Sequence, residues 1–400
     1  MKITAIETLR LGEFPNMVWV RVRTDEGVTG LGETYFGARA VEAYIHESAA
    51  PRLLGKDPLQ IERIAHDLQP YVGFSGTGAE TRGRSAIDVA LWDLFGHATG
   101  QPLYQLLGGL TRDRIRTYNT CAGYRYVRTR PDWKADDWGL GGDGEGPYED
   151  LDAFLNRADE LAQSLLEEGI TGMKIWPFDF TAGAAEGGHY ISNADLDRAL
   201  EPFRKIRDAV GSRIDIMVEL HSIWRLPAAL KIARALEPFD PFWYEDPVRM
   251  DSLPALSTFA ASTRVPVCAS ETVASRWNHR DLLETGAPAV VMPDIVWCGG
   301  LTEARKIAAI ADTYHRPVAP HDCTGPVAFN AAVHLSLSVP NALVQESVRA
   351  FRTGWYAELV TAVPEVVDGH ILPPSGPGLG TDLQPGIERR ADATVTVSAA

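Results

Sequence analysis

Three glutamates recur at equal spacing in the middle of the chain: Glu219, Glu245 and Glu271, each 26 residues after the one before. Each lies near the carboxyl end of a short apolar, β-branched stretch, the pattern of a buried parallel strand. One such repeat matches a strand plus a helix, so the three carboxylates would meet at one edge. Like charges in a small volume need a positive partner. The equally spaced glutamates therefore predict a site for a hard divalent cation, most naturally Mg²⁺. The alternative is that they are three unrelated acidic residues at strand ends.

A lysine and a tryptophan end the predicted strand that precedes these three. Lys174 and Trp176 lie two residues apart in Thr171–Trp176, so both side chains point the same way. Because a cation disfavours a second positive charge nearby, we expect a lowered pKa for Lys174, in the range useful for a base. A salt-bridged structural lysine is the alternative. Trp176 is predicted to form a wall of the substrate pocket.

Asp294 and His321 end the predicted strands six and seven, one strand-plus-helix unit apart. Neighbouring strand ends allow a hydrogen bond between the two side chains. An aspartate on one imidazole nitrogen fixes the tautomer and raises the basicity of the other nitrogen. We therefore predict a catalytic pair, with a structural aspartate–histidine pair under a loop as the alternative.

Two further ionisable residues lie on the same rim. His221 follows Glu219 by two residues and is interpreted as an acid, a base, a substrate hydrogen-bond donor or a structural histidine. Glu346, on strand eight, is placed to donate to a substrate carboxylate if its pKa is raised. Metal, base and lysine together favour removal of a proton next to a carboxylate through an enediolate. Loss of a β-hydroxyl would then make a dehydratase, and reprotonation a racemase or epimerase.

Eight predicted strands position these residues. The first strand is Ile115–Asn119, and strands two to eight each carry one polar residue in or just after the apolar run, in the order Lys174, Glu219, Glu245, Glu271, Asp294, His321 and Glu346. Helical patterns alternate with the strands. The chain is therefore predicted to be α/β, with a (β/α)₈ TIM-like barrel.

The regions around the barrel have other patterns. Residues 1–112 read as strands followed by helices and predict an N-terminal α+β capping domain, with the clearest helix at Ser85–Ala98. The barrel is assigned to residues 113–365, and residues 366–400 are expected to pack back on the capping domain. The polar stretch 124–149 is interpreted as a surface insertion, with an active-site flap as the alternative.

Composition excludes several classes of partner. A net charge of −15 argues against nucleic acid and anionic membranes, and no apolar run reaches membrane-spanning length. The four cysteines show no paired spacing, so we expect reduced thiols in a cytoplasmic protein. The chain lacks the G-x-S-x-G motif of serine hydrolases, and its glycine-rich run GLGGDGEG does not sit between a strand and a helix, as a phosphate loop would. A small carboxylate substrate remains compatible with the acidic balance.

This constellation resembles the enolase superfamily, in particular its mandelate racemase-like branch, over essentially the whole chain. The resemblance implies that Glu219, Glu245 and Glu271 bind Mg²⁺, that Asp294 and His321 form the general base and acid pair, and that Glu346 is the carboxylate partner on strand eight. It also implies that the Val18–Thr34 hairpin and the Tyr71–Gly78 loop close over the substrate. A non-catalytic relative would be expected to have lost Lys174 or the Asp294–His321 pair.

Two departures from the family pattern bear on the reaction. The first ligand is usually aspartate and is Glu219 here, and racemases carry Lys-x-Lys where this chain has only Lys174. The Glu219-x-His221 spacing is similar to that of sugar-acid dehydratases such as galactonate or mannonate dehydratase. The resemblance therefore implies dehydration of an aldonic or aldaric acid to a 2-keto-3-deoxy acid, with a racemase, epimerase or cycloisomerase as the alternative. A homo-oligomer is expected.

Overall fold

The computed structural model describes residues 1–69, 76–126, 128, 138, 140, 148–184 and 186–400. Its N-terminal part contains five helices and three strands of a four-stranded antiparallel sheet, whose fourth strand comes from the C-terminal residues. The elements of this part are β1 (Ile3–Leu11), β2 (Met17–Thr24), β3 (Thr29–Tyr35), α1 (Ala38–Tyr44), α2 (Ala50–Leu53), α3 (Ile61–Asp67), α4 (Ala79–Thr99) and α5 (Leu103–Leu106), with a π-helical turn at Ile45–Ala49. Strands β1, β2 and β3 pair in chain order.

The long helix α4 packs directly on strand β3. A side chain at Gly32 would place its Cβ 1.9 Å from the carbonyl oxygen of Ala86, so only glycine allows this approach. The predicted helix Ser85–Ala98 is confirmed, although α4 begins six residues earlier. Its first turns are polar and lack an apolar stripe, which hid them from a pattern-based prediction. Gly100 ends the helix in the left-handed conformation.

Parallel strands form the second sheet. The strands are β4 (Ile115–Thr120), β5 (Gly172–Ile175), β6 (Asp215–Glu219), β7 (Trp243–Glu245), β8 (Val267–Ala269), β9 (Val290–Val291) and β10 (Gln345–Ser347). Neighbours pair in chain order from β4 to β9, and β10 pairs with β4. The helices around them are α6 (Asp150–Asn156), α7 (Ala158–Glu167), α8 (Asn193–Val210), α9 (Leu226–Leu236), α10 (Leu253–Ala261), α11 (Ser275–Glu284), α12 (Ile295–Cys298), α13 (Leu301–Thr313), α14 (Pro326–Ser338), α15 (Arg349–Arg352) and α16 (Tyr356–Leu359).

The predicted seventh strand forms isolated bridges instead of a regular ladder. Val318 bridges Val291 on one side and Ala342 on the other, and His321 bridges Asp294, all in parallel. Prolines at 293, 317 and 320 lack the N–H groups that a continuous ladder needs. The strands at 290–294 and 317–321 are therefore shorter than the sequence predicts. Residues 317–321 still fill the gap between β9 and β10. The expected barrel architecture is confirmed.

The C-terminal residues return to the N-terminal part. Two short strands, β11 (Val366–Val367) and β12 (His370–Ile371), extend the parallel sheet at β4, and β13 (Ala393–Ala399) pairs antiparallel with β1. The backbone N–H of Leu379 donates to Asp93 on α4 at 2.7 Å. None of the described helices is long and apolar enough to cross a membrane.

Buried carboxylates of the N-terminal part bind the amino ends of barrel helices. Glu33 accepts hydrogen bonds from the indole of Trp19 at 2.7 Å and from the N–H of Ala328, in the first turn of α14, at 3.0 Å. Asp88 accepts from the N–H of Thr302, at the start of α13, at 2.9 Å. Burial raises the pKa of each carboxyl group to about 7. Helix amino ends favour such partners.

Glu33→Gln is expected to flatten the pH dependence of stability. Folded Glu33 keeps a proton that the unfolded chain releases, so the free energy of unfolding falls as pH rises from about 4.5 to about 7. The variant should lose this contribution, up to about 3 kcal/mol between the two pH values. Urea unfolding at both pH values measures it, with the exposed Glu388→Gln as control. An unchanged fall in Glu33→Gln would contradict the assignment.

Candidate active site

The three evenly spaced glutamates converge as expected. Glu219 and Glu245 are the last residues of β6 and β7 and lie directly opposite one another in the sheet register. Glu271 lies two residues beyond β8. All three are buried, and one carboxylate oxygen of each lies within 4.8 Å of the others. The parallel strands thus bring together three side chains that are 26 residues apart in the chain.

Lys174 lies among these carboxylates and contacts three of the buried glutamates at the strand ends. Its Nζ is 2.5 Å from Glu245 Oε1, 2.8 Å from Glu346 Oε1 and 3.6 Å from Glu219 Oε2. Burial alone would lower the pKa of Lys174, but the carboxylates outweigh it and hold the pKa well above its usual range. The expected lowering refers to a lysine beside a bound cation and stays a prediction for that state, since it left out the carboxylates that dominate in the protein alone.

Glu346 is placed beneath Lys174, and its two oxygens are already bonded. One accepts a hydrogen bond from the hydroxyl of Thr120, and the other accepts from the N–H of Asp322 at 2.8 Å. The side chain is completely buried. The structure thus gives Glu346 a contact with Lys174, and its direct contact with a substrate stays a prediction.

Asp294 and His321 form the expected hydrogen bond. His321 Nδ1 lies 2.7 Å from Asp294 Oδ2, and Nε2 lies 2.8 Å from Glu271 Oε2. Asp294 is also the N-cap of α12 and accepts from the N–H of Val296, which fixes its orientation. Burial alone would lower the pKa of His321, but Glu271 and other carboxylates raise it well above its usual range. His321 in turn lowers the pKa of Glu271 to about 2, against the effect of burial.

His221 belongs to a second histidine–aspartate pair. His221 Nδ1 lies 2.7 Å from Asp179 Oδ2, and Asp179 is completely buried. Asp179 begins a 3₁₀ turn, Asp179–Ala184, in the irregular stretch after β5. Sequence reasoning missed it, since no periodicity links position 179 to position 221. The imidazole of His221 stacks on the indole of Trp138, with ring centroids 4.7 Å apart.

A small cavity connects the two histidine–aspartate pairs. The residues that line it are Phe36, Thr120, Tyr126, Lys174, Trp176, His221, Glu271, Trp297, His321 and Cys323. Trp176 therefore forms a wall, as its spacing from Lys174 predicts. Phe36 comes from the N-terminal part, just past β3, and was not singled out in the sequence.

Two segments proposed to close over the site are only partly described. Of the Tyr71–Gly78 loop, residues 71–75 lie outside the described residues, as does most of the stretch 124–149. Within that stretch Trp138 is buried and contacts His221, which a surface insertion would not do. The described part therefore supports the alternative in which this insertion belongs to the site.

The residues at the strand ends fit a divalent cation. Four buried carboxyl groups, those of Glu219, Glu245, Glu271 and Glu346, surround the ammonium group of Lys174 and the imidazole of His321. Glu219 Oε2 is buried without a hydrogen-bond partner, and burial raises the pKa of Glu219 to about 7. Oxygen donors with an excess of negative charge are the donor set that hard cations prefer. Glu219, Glu245 and Glu271 would hold the ion.

Two family models match the chain in succession. Residues 4–108 match the N-terminal domain of mandelate racemase and muconate lactonizing enzyme, and residues 157–387 match the enolase C-terminal domain-like family. A structure of an enolase of the mandelate racemase subgroup from Agrobacterium tumefaciens superposes with a TM-score of 0.89 at 56% identity, covering 100% of this chain and 99% of that one. An enolase from the Sargasso Sea environmental genome gives 0.88 at 45% identity, with coverage of 100% and 99%.

Curated relatives match over nearly the whole chain and share about a third of the aligned residues. D-galactonate dehydratase of Ralstonia nicotianae is 34% identical over 392 residues, which cover 96% of this chain and 92% of the relative. The D-galactonate dehydratase of Pectobacterium atrosepticum is 33% identical with the same coverage. These similarities, together with the acidic cluster and the barrel, confirm the resemblance seen in the sequence. The chain belongs to the enolase superfamily, in the family of mandelate racemase and muconate lactonizing enzyme.

Proposed function

We propose that this chain is a Mg²⁺-dependent sugar-acid dehydratase, a hydro-lyase that converts an aldonic or aldaric acid to a 2-keto-3-deoxy acid. The observation that carries the proposal is the placement of two histidine–aspartate pairs at one cavity beside three buried glutamates. One imidazole can accept the proton next to the carboxylate while the other protonates the departing hydroxyl group. The relatives named D-galactonate dehydratase make D-galactonate the first substrate to test.

The residues of the chain divide the proposed reaction between them. A divalent cation, when bound, supplies positive charge to the substrate carboxylate as negative charge accumulates there. His321, held by Asp294, accepts the α-proton, and Lys174 keeps a second positive charge close to the enediolate. His221, held by Asp179, protonates the leaving hydroxyl. Trp176 and Trp297 exclude water from the cavity.

The position of Lys174 favours dehydration over racemisation by two bases. A racemase needs a second base on the opposite face of the reacting carbon. Lys174 is already bound by Glu245 and Glu346. Trp176, at the position two residues on, cannot exchange a proton. The strand that carries two lysines in racemases therefore offers no free base here.

We also propose that the protein works in the cytoplasm, where its substrate would be a small carboxylate. The four cysteines are buried and free, as expected in a reducing compartment. Assembly into a homo-oligomer stays a prediction.

D-Galactonate, together with a panel of other aldonic and aldaric acids, is expected to yield a 2-keto acid in the presence of Mg²⁺. Formation of the semicarbazone measures the product, and EDTA should abolish it until Mg²⁺ is restored, because the four carboxyl groups then lack their counter-charge. Exchange of the α-proton in D₂O without any 2-keto acid would overturn dehydration in favour of isomerisation. If neither exchange nor product is observed with any acid of the panel, proton abstraction from sugar acids is rejected altogether.

A further inference from the structure

We infer that Asp179 is a positioning residue that holds the imidazole of His221 for protonation of the departing hydroxyl group. The inference rests on the proposed function and deepens it, because it assigns the second proton-transfer group to a pair that includes a residue outside the strand ends. Asp179 does not line the cavity itself, so it acts through His221.

The carboxylate of Asp179 is fixed at the end of β5. The backbone N–H of Asp179 donates to the carbonyl of Trp176 at 3.2 Å, which anchors the turn to the strand that carries Lys174. The side chain is completely buried, and its Oδ2 lies 2.7 Å from His221 Nδ1. A buried carboxylate with one close imidazole is an arrangement that orients the ring.

Two indoles restrict the same imidazole. Trp138 stacks on it at 4.7 Å with an interplanar angle of 26°, and Trp176 meets it edge-on at 5.8 Å and 81°. His221 has a backbone φ of 47°, a conformation that non-glycine residues adopt rarely. With Nδ1 bonded to Asp179, Nε2 is the nitrogen that can exchange a proton with a substrate in the cavity.

The Asp179–His221 pair mirrors the Asp294–His321 pair. Each has an Nδ1 to carboxylate distance of 2.7 Å. The two histidines follow the third and seventh strand positions of the eight-stranded barrel, so they reach the cavity from opposite sides. This arrangement separates the two proton transfers of an elimination in space.

The elimination needs no further reactant. The bond from the α-carbon to its hydrogen breaks, and the proton goes to His321. The bond from the β-carbon to oxygen then breaks, the electron pair leaves with the oxygen, and His221 supplies the proton that makes the leaving group water. The resulting enol takes up a proton at the β-carbon and releases its hydroxyl proton, which gives the 2-keto acid.

Asp179→Asn is expected to lower kcat for dehydration by about 100- to 10,000-fold, as loss of an orienting aspartate does in other histidine pairs. KM should change less than about 3-fold, since Asp179 does not reach the cavity. The α-proton should still exchange in D₂O, because the Asp294–His321 pair is intact. His221→Ala should show the same split, and Asp179→Glu should recover part of the rate. Asp88→Asn changes a buried carboxylate that does not line the cavity, so it is the matched control and should retain kcat.

Nitrogen NMR of ¹⁵N-histidine-labelled protein shows which ring nitrogens of His221 carry a proton, and it needs no turnover. The His221 signals are assigned by their loss in His221→Ala. We expect a proton on Nδ1 in the native protein, in addition to the transferable proton on Nε2, and only the Nε2 proton in Asp179→Asn. An unchanged tautomer, an unchanged kcat, or an equal loss of dehydration and exchange would overturn the positioning role. A tautomer change in a protein that dehydrates no acid of the panel would support the positioning of His221 and overturn the proposed function alone.

Discussion

His321→Asn is expected to abolish both dehydration and α-proton exchange. In the native protein Asp294 occupies Nδ1 of His321 at 2.7 Å, so Nε2 is the nitrogen that accepts the α-proton. Asparagine keeps a similar size but cannot accept a proton at neutral pH. Loss of a general base lowers a rate by about 10²- to 10⁴-fold. Initial rates of 2-keto acid formation and deuterium incorporation measured by NMR give the two losses separately.

Metal affinity distinguishes a lost base from a lost ligand in this variant. His321 Nε2 lies 2.8 Å from Glu271 Oε2, so removal of the ring frees that carboxylate from a partner other than the metal ion. The affinity for Mg²⁺, measured by calorimetric titration, should therefore be unchanged or higher. A loss of affinity that parallels the loss of rate would rule against His321 as the base. His315→Asn, at an exposed histidine, should change neither quantity.

Glu245→Gln is expected to weaken Mg²⁺ binding by at least about 100-fold. Mutation of residues that only orient metal ligands already lowers metal affinity by about 10- to 100-fold. Both oxygens of Glu245 are fixed: Oε1 accepts from Lys174 at 2.5 Å and Oε2 from the indole of Trp243 at 2.9 Å. The amide keeps the shape and removes the charge. Activity should fall with the affinity and recover in part at high Mg²⁺.

The neighbouring residue supplies a matched control for this experiment. Asp246 is buried like Glu245, but its carboxylate accepts a hydrogen bond from Ser270 and lies outside the group of three glutamates. Asp246→Asn should therefore change Mg²⁺ affinity by less than about 3-fold. Equal titration curves for Glu245→Gln and the native protein would remove Glu245 from the ligand set.

Residues at strand ends were predictable because a regular repeat connects them. The equal spacing of Glu219, Glu245 and Glu271 follows from one strand and one helix per unit, so position in the sequence determines position on the rim. The Asp294–His321 pair was predictable for the same reason. The repeat weakens where prolines interrupt the ladder, and there the predicted strands six and seven were too long.

Residues in irregular segments were not predictable from the repeat. Phe36 lines the cavity from the edge of the N-terminal part, and Asp179 and Trp138 contact His221 from a 3₁₀ turn and an insertion. Their contacts depend on how loops fold back, and no periodic pattern encodes that. The carboxylates that raise the pKa of Lys174 in the absence of a cation were not predictable either, because they come from three separate strands.

The pairing of β13 with β1 has a consequence for the order of folding. Ala5 lies opposite Ala399 in this ladder, so the contact spans almost the whole sequence. During synthesis the N-terminal sheet emerges first, yet its outer strand leaves the ribosome only after every barrel strand. Until then β1 presents an unpaired edge of the kind that other chains can join. A fragment of residues 1–112 alone would keep that open edge, so the N-terminal sheet is completed only by the full chain.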